Sequence, residues 1–365
     1  MPLKIIDRDF NLLAELDDYE SLIFTRRWRK PGDFHVTINI NKQHTAELQK
    51  ENFIMLAKHL NKAGVIRHRE IKTNETGNEV LMIQGSTISG LLSRRITLPP
   101  IGAAYDHINA AAEDVMKHYV TANAVNSANS DRIIPYLAVA LSQARGANIS
   151  WNSRLKNLDE ELEAISGKSG LGWDIYLDIV NMRYIFEIYA GRDLTTGQSI
   201  NSPVIFSSDF DNLKEESFTD SDLNYSNYAY VGGQGEGELR EIAEVGTDTG
   251  LDRREVFIDA RDISNPSDLI IRGEEKLLDV ASVQNFQAKV MPSASFRYEE
   301  DWNLGDKVTI QNKKWGITMD AVITEVKEVY EPSGFKLEVV FGNSMPTLIR
   351  KIKQEFKQLL PEITK

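Results

Sequence analysis

The segment EIYAGRDLTTGQSINSPVIFS, Glu187 to Ser207, gathers Arg192, Asp193, Thr195, Thr196, Gln198 and Ser199 into one loop between two apolar runs. Guanidinium, hydroxyl and amide groups at that density are the equipment of a phosphate or sugar grip. Each also has a structural use. The Asp193 carboxylate can accept a backbone N–H two residues on, as Asx-turns do. Gly191 lets the strand turn sharply, and Pro203 opens the next strand where a missing N–H costs least. The loop reads as a domain junction.

Other candidate chemistry fails on spacing. Ser166 to Gly170, SGKSG, resembles the end of a phosphate-binding loop, but Leu162 stands where the motif needs a glycine and a helix precedes it instead of a strand. Gly232 to Glu238, GGQGEGE, lacks a dinucleotide unit, and Glu236 and Glu238 would repel a pyrophosphate. The Asp209/Asp211 and Asp220/Asp222/Asn224 clusters suggest calcium, yet Lys214 and Tyr225 occupy the position that a calcium loop reserves for glycine. The histidines (35, 44, 59, 68, 107 and 118) show no paired metal spacing. In GSTISG neither Ser86 nor Ser89 stands in a nucleophile-elbow frame. Paired carboxylates meet in space rather than in sequence, so they stay open. The sequence assigns no catalytic, cofactor-binding or metal-ligating residue, and the expectation is a binding or structural protein that is not an enzyme.

Composition narrows the class. The 365 residues carry a formal net charge of −12, against affinity for nucleic acid, which comes mainly from Lys and Arg neutralising phosphates. The absence of cysteine removes disulfides and thiolate metal sites. No apolar run approaches the roughly 20 residues that span a bilayer, and the N-terminus does not read as a signal peptide.

The elements that must hold these residues are mainly strands. SLIFTRRW, RKPGD and FHVTINI form a β-hairpin signal with Phe34, Val36, Ile38 and Ile40 on one face and Pro31-Gly32 in the turn. A second hairpin follows, turning at residues 75–78, and Pro99-Pro100 closes a small sandwich or barrel. Helical spacing then appears in DHINAAAEDVMKHYVTA, in DRIIPYLAVALSQA and in SRLKNLDEELEAIS, where Leu155, Leu158, Leu162 and Ile165 form a stripe and Gly167 fits the C-cap. WDIYLDIVNMRYIFEIYAG returns to a hairpin turning near Asn181. Beyond Pro203 the chain is β-rich, with one helix around DLIIRGEEKLLDVA and a last meander turning at Pro332-Ser333-Gly334. The fold class is α+β, mainly β: a first β-barrel domain (1–99), a mixed α/β insert (100–202), a second β-barrel domain with one helix (203–345), and an amphipathic C-terminal helix (346–365) whose stripe is Leu348, Ile352, Phe356 and Leu359 or Leu360.

FTRRWRKPGDFHVTINI, LPPIGAAYD, GRDLTTGQSINSPVIFSSDFDNL, GLDRREVFIDARDI, WNLGDKVTIQNKKWGITMDAVITEV and GFKLEVVFGN, in this order, resemble the tail-tip hub family of non-contractile-tailed (siphovirus) phages and prophages, over about residues 3 to 345. These minor structural tail proteins are related to the N-terminal part of tail-associated lysins. The resemblance implies a baseplate-hub-like fold with two related barrels and a homotrimer beneath the tail tube. The implied partners are further copies of the chain, the distal tail protein ring, the tape-measure protein and a spike or fibre protein. The implied location is the virion tail tip, after assembly in the bacterial cytoplasm. Longer relatives continue into a wall-cleaving or fibre-like region, whereas this chain stops after one helix, so that activity does not transfer. Two other classes stay open: a glycan-binding receptor-recognition module using Trp28, Trp151, Trp173, Trp302 and Trp315, and a cell-wall hydrolase.

Overall fold

The computed structural model describes residues 1–56, 59–73, 77–263, 265–291 and 296–342. The expected helix over 346–365 and part of the turn at 75–78 lie outside the described residues. The N-terminal strands are β1 (Leu3–Ile6), β2 (Leu12–Leu16), β3 (Ser21–Arg27), β4 (Asp33–Asn39), β5 (Phe53–Leu56), β6 (Ala63–Thr73) and β7 (Glu79–Thr87). The first hairpin forms as its alternation predicts, with β3 antiparallel to β4 and Phe24 opposite Phe34. Phe34, Val36 and Ile38 are buried in a core shared with Leu3, Ile54 and Ile83. Gly32 serves a different purpose from the one its turn position suggests. A Cβ there would lie 1.9 Å from the Thr25 carbonyl oxygen, so the need is for close approach rather than for positive φ.

The insert holds β8 (Asp106–Ala111), α1 (Ala112–Val120), β9 (Leu137–Val139), β10 (Asn148–Ser153), α2 (Leu158–Ser169), β11 (Gly172–Asp178) and β12 (Arg183–Tyr189). Three helical readings need correction. The first predicted helix begins as strand β8, which pairs with β10, and turns helical only at Ala112. The second is not a helix. Pro135 lacks an N–H and restrains Ile134, and the apolar run instead supplies β9, parallel to β12. The third starts later, where the Asn157 side chain accepts the Asp159 N–H, and runs through Gly167 to an αL cap at Gly170. Leu158, Leu162 and Ile165 are buried, while Leu155 lies outside the helix at φ 52 and is exposed.

The insert packs on the outer face of the N-terminal sheet. Every residue of β5 is buried. Alternation sends Ile54 and Leu56 to the inner core and Phe53 and Met55 to the insert's core, which also holds Trp151, Trp173 and Phe186.

The remaining strands are β13 (Asp193–Leu194), β14 (Ile205–Ser207), β15 (Leu213–Ser221), β16 (Tyr228–Gly232), β17 (Ile242–Val245), β18 (Glu255–Asp259), β19 (Val283–Val290), β20 (Lys307–Asn312), β21 (Ile317–Glu331) and β22 (Gly334–Gly342). The last meander forms as expected, with Gly334 at φ 121 in its turn. Strands β16, β17 and β18 make a separate sheet covered by α3 (Pro266–Asp279), with its own small core around Val231 and Leu269. No helix among the described residues is long and apolar enough to cross a membrane.

Among the described residues, fourteen strands from both halves form one sheet, in the order β15-β19-β22-β21-β3-β4-β7-β6-β5-β1-β2 with β13, β14 and β20 branching from β21. The branch arises because one edge of β21 is divided. Its first part pairs with β20 through Val322, and its second part pairs with β3 from Glu325. Strand β3 therefore hydrogen-bonds β4 on one edge and β21 on the other. The pairing of the described residues shows a continuous, open sheet over two cores, with neither half closed into a barrel.

Candidate functional site

The loop after β12 is a clasp on the second half of the sheet. The Arg192 guanidinium donates to Asp306 at 2.6 Å through Nη2 and at 3.2 Å through Nε, and the Arg192 backbone N–H donates to the same carboxylate at 2.9 Å. The Lys307 N–H then bonds the Arg192 carbonyl. Asp193 accepts from the Thr195 N–H at 3.0 Å and from its hydroxyl at 2.7 Å, the Asx-turn that the spacing implies. Those two bonds hold the Asp193 carboxyl below the usual range. The Thr196 N–H reaches the Thr309 hydroxyl, and the Gln198 amide ties Thr195, Ile200 and Asn201 together. Gly191 is required by approach rather than by a turn: a Cβ there would sit 1.8 Å from the Gly305 carbonyl oxygen. Arg192, the residue equipped to hold an anion, is occupied by a nearly buried carboxylate.

The other flagged segments also have partners within the chain. Lys168 pairs with Glu274 at 2.9 Å, and the Ser166 hydroxyl donates to the Leu171 carbonyl beyond the helix end. Arg240 binds the Gly232 and Gly233 carbonyls. Asp209 pairs with Lys313, and Asp222 with Arg254. His118 sits 2.9 Å from Asp106, and His107 2.6 Å from Asn152. Among the described residues no group of three or more His, Asp or Glu side chains is placed to hold a metal ion. Ser86 and Ser89 sit at the end of β7 and just after it; the Ser89 hydroxyl donates to Asp174. Trp28, Trp151, Trp173 and Trp302 are buried, which leaves Trp315, 49% exposed, as the tryptophan open to a sugar.

Two sites at the seam were not legible as sites in the sequence. The first is Trp28, which leaves β3 into a three-way junction. Its indole N–H donates to the Gly170 carbonyl at 3.1 Å, its backbone N–H to Thr324, and its carbonyl accepts from Trp173. Its ring lies so close to Gly172 and Gly305 that a Cβ on either would fall 2.4 or 2.2 Å from it. The first half, the insert and the second half meet on this one side chain.

The second is a buried charge cluster beside β21. Lys62 Nζ lies 2.8 Å from Glu328 and 3.1 Å from Glu299. Arg26 donates to the Tyr298 hydroxyl at 3.2 Å and lies 3.5 Å from Glu299, and the Tyr330 hydroxyl donates to Glu328. Burial, then the nearby carboxylates, push the Tyr330 phenol far up, and burial does the same to Tyr298, so both stay protonated. Burial, with Lys62 adding to it, lowers the His59 imidazole, 3.6 Å from Glu299. A cavity of about 390 Å³ opens above this cluster. The arrangement pairs each charge with its opposite across the two halves, which suits holding them in register better than activating a nucleophile. A signal for it does exist: Val326, Glu328 and Tyr330 share one face of β21, so Glu328 is a charge at an apolar-phase position.

The family model described as Siphovirus ReqiPepy6 Gp37-like protein matches residues 2–343. No curated protein matches the sequence. Among solved structures, the chain is similar to the 43 kDa tail protein of prophage MuSo2 from Shewanella oneidensis, with a TM-score of 0.57 and 10% identity, covering 93% of this chain and 98% of that one. It is also similar to the tail protein from Neisseria meningitidis MC58, with a TM-score of 0.53 and 12% identity over 94% and 97% of the two chains. The prophage tail protein gp18 from Listeria monocytogenes EGD-e gives a TM-score of 0.53 and 12% identity over 99% and 100%. At these identities the likeness establishes a shared fold.

Proposed function

The chain belongs to the Siphovirus ReqiPepy6 Gp37-like family, and from that premise we propose that it is a structural hub protein of a phage or prophage tail tip. Three copies close into a ring that joins the tail tube and distal tail ring to a spike or fibre. Family membership over nearly the whole chain carries the reading. The β3–β21 seam supports it mechanically: a sheet hydrogen-bonded through both halves resists shear between them, as a load-bearing joint requires. Point-group closure gives a finite ring instead of an open filament, and two related halves per chain present six similar surfaces in a trimer. In this reading residues 1–99 and 203–345 are those halves, 100–202 is the insert, and 346–365 is the segment to which a separate spike or fibre chain attaches. The role is structural, with no catalytic step. A channel through such a ring is acidic or neutral, since clustered Lys or Arg would hold the phosphates of passing DNA.

The test is the mass and shape of the chain purified with its distal tail ring. Light scattering and electron microscopy should give three copies of 41.3 kDa per ring. A closed two-fold dimer burying the prospective ring surfaces would sink the proposal. Release of muropeptides from bacterial walls, abolished by changing one carboxylate pair, would replace it with a hydrolase.

A further inference from the structure

The seam cavity has the size of a ligand site. Its volume of about 390 Å³ falls within the range of roughly 300–1,000 Å³ typical of small-molecule pockets. Its walls carry the rings of Phe296, Tyr298, Tyr330 and Phe335, with the Glu299 carboxylate and the His59 imidazole among them. Glu299 stands at φ 68, a backbone region uncommon for a residue with a side chain. Trp302 also lines the cavity, and its indole N–H is buried with no acceptor among the described residues.

The charges limit what fits. Lys62 is flanked by two carboxylates, Glu299 by Lys62, Arg26 and His59, and Arg297 in the wall pairs with Glu300 and Asp301, so these side chains leave little unpaired charge for a phosphate or a cation. A purely apolar guest would desolvate His59 and leave the Trp302 indole N–H without an acceptor, which costs free energy. A neutral guest with one apolar face and several hydroxyls meets both demands: the face packs on the rings, while the hydroxyls bond the carboxylate and imidazole. We propose that this cavity binds a neutral saccharide ring. The site uses one of the buried tryptophans, Trp302, and it stands or falls independently of the hub role, because it lies within one copy of the chain.

The test is a calorimetric or NMR titration of the full chain with glucose, galactose, rhamnose and N-acetylglucosamine, and with N-acetyltryptophanamide for comparison. At least one sugar should bind saturably. Phe335→Ala at the rim and Glu299→Gln should each weaken that binding by about tenfold, some 1.4 kcal/mol, with Phe335→Ala leaving the unfolding transition in place. Failure of the wild-type chain to bind any of the four sugars overturns the proposal. So does sugar binding that neither variant changes. Tighter binding of N-acetyltryptophanamide than of every sugar also overturns it, and assigns the cavity to an aromatic side chain of a partner protein. Ring formation is read separately by mass, so either result can fail without the other.

Discussion

Lys62 and Glu328 lie 266 positions apart in the chain and 2.8 Å apart in space, with 3% and 1% of their side chains exposed. One precedes β6 in the first half and the other sits in β21 of the second, so the pair crosses the seam between the two cores. Buried pairs of this kind contribute little net stability over an apolar substitute, but they are costly to break from one side.

Glu328→Leu alone should therefore destabilise the chain by about 3 kcal/mol, because Lys62 keeps only the Glu299 carboxylate and the Tyr330 hydroxyl loses its acceptor. The double variant Lys62→Met with Glu328→Leu should recover part of that loss, since Glu299 keeps Arg26 but the Tyr330 hydroxyl still lacks its acceptor. Denaturant unfolding of the three proteins measures both steps. A single-variant cost below about 1 kcal/mol, the ceiling typical of exposed pairs, would show that solvent reaches the pair.

The Trp28 junction makes a steric prediction. The ring leaves no room at Gly172, so Gly172→Ala should cost about 1–3 kcal/mol through overpacking. In a Trp28→Leu background the same change should cost much less, since the smaller side chain vacates the space. The coupling is read from a double-mutant cycle. Additive costs would mean that the alanine is accommodated by backbone movement away from the indole.

Much of this architecture was legible from period alone. Where a strand has one face on a core and one on water, as in Phe34-Val36-Ile38, alternation marks it. The insert was harder. The run around Ile134 and Leu137 reads as helical by spacing, but parallel pairing with β12 overrides a local pattern interrupted by Pro135. The role of Asp193 was visible because its partner is two residues away. Arg192's partner, Asp306, and Lys62's partner, Glu328, were not: the apolar-phase position of Glu328 marks a buried charge, but contacts across such separations leave no local signature of the pairing. The resemblance read from the ordered segments agrees with the family that the chain belongs to. That agreement left open how the two halves join, which only the β3–β21 pairing shows.

Asp174 gives a pH prediction. Burial raises its carboxyl above the ordinary value of 3.8, against the pull of Arg26 and the bonds from Ser89 and the Ile175 N–H. The unfolded chain releases this proton at a lower pH than the folded one. Stability from this group is therefore complete below about pH 3.8 and is lost as pH rises through the folded pKa. Asp174→Asn keeps the acceptor oxygen and removes the charge. It should be more stable than wild type at neutral pH, with the advantage shrinking toward pH 3.8. Thermal unfolding across that range checks the sign, and an advantage that grows in acid would contradict it.

The small α3 domain is held to the insert mainly by polar contacts, and Lys156 is central among them. Its ammonium lies 3.2 Å from Glu161 on α2 and 3.2 Å from Glu275 on α3. Burial lowers its pKa, but the two carboxylates outweigh that and keep it charged. Burial raises Glu275 above the usual carboxylate range, against the partial pull of Lys156 and Arg272. Asn152 to Asp268 at 2.9 Å, Lys168 to Glu274 at 2.9 Å and the Tyr105 hydroxyl to Asp262 at 2.8 Å add to the contact. Polar interfaces of this kind permit relative motion, which a large apolar interface would restrain. Lys156→Met would leave Glu161 and Glu275 facing each other with only Arg272, 3.9 Å from Glu275, to offset them, so the small domain should loosen while its own core stays folded. Hydrogen exchange should speed up at the α2–α3 contact by about tenfold or more, equivalent to roughly 1.4 kcal/mol of lost local stability, with little change in β11 and β12. A variant in which Glu275→Gln accompanies Lys156→Met removes the repulsion and should regain part of the protection. Unchanged exchange in Lys156→Met would mean that the apolar contact of Tyr105 with the small core, and not the charge bridge, holds the domain in place.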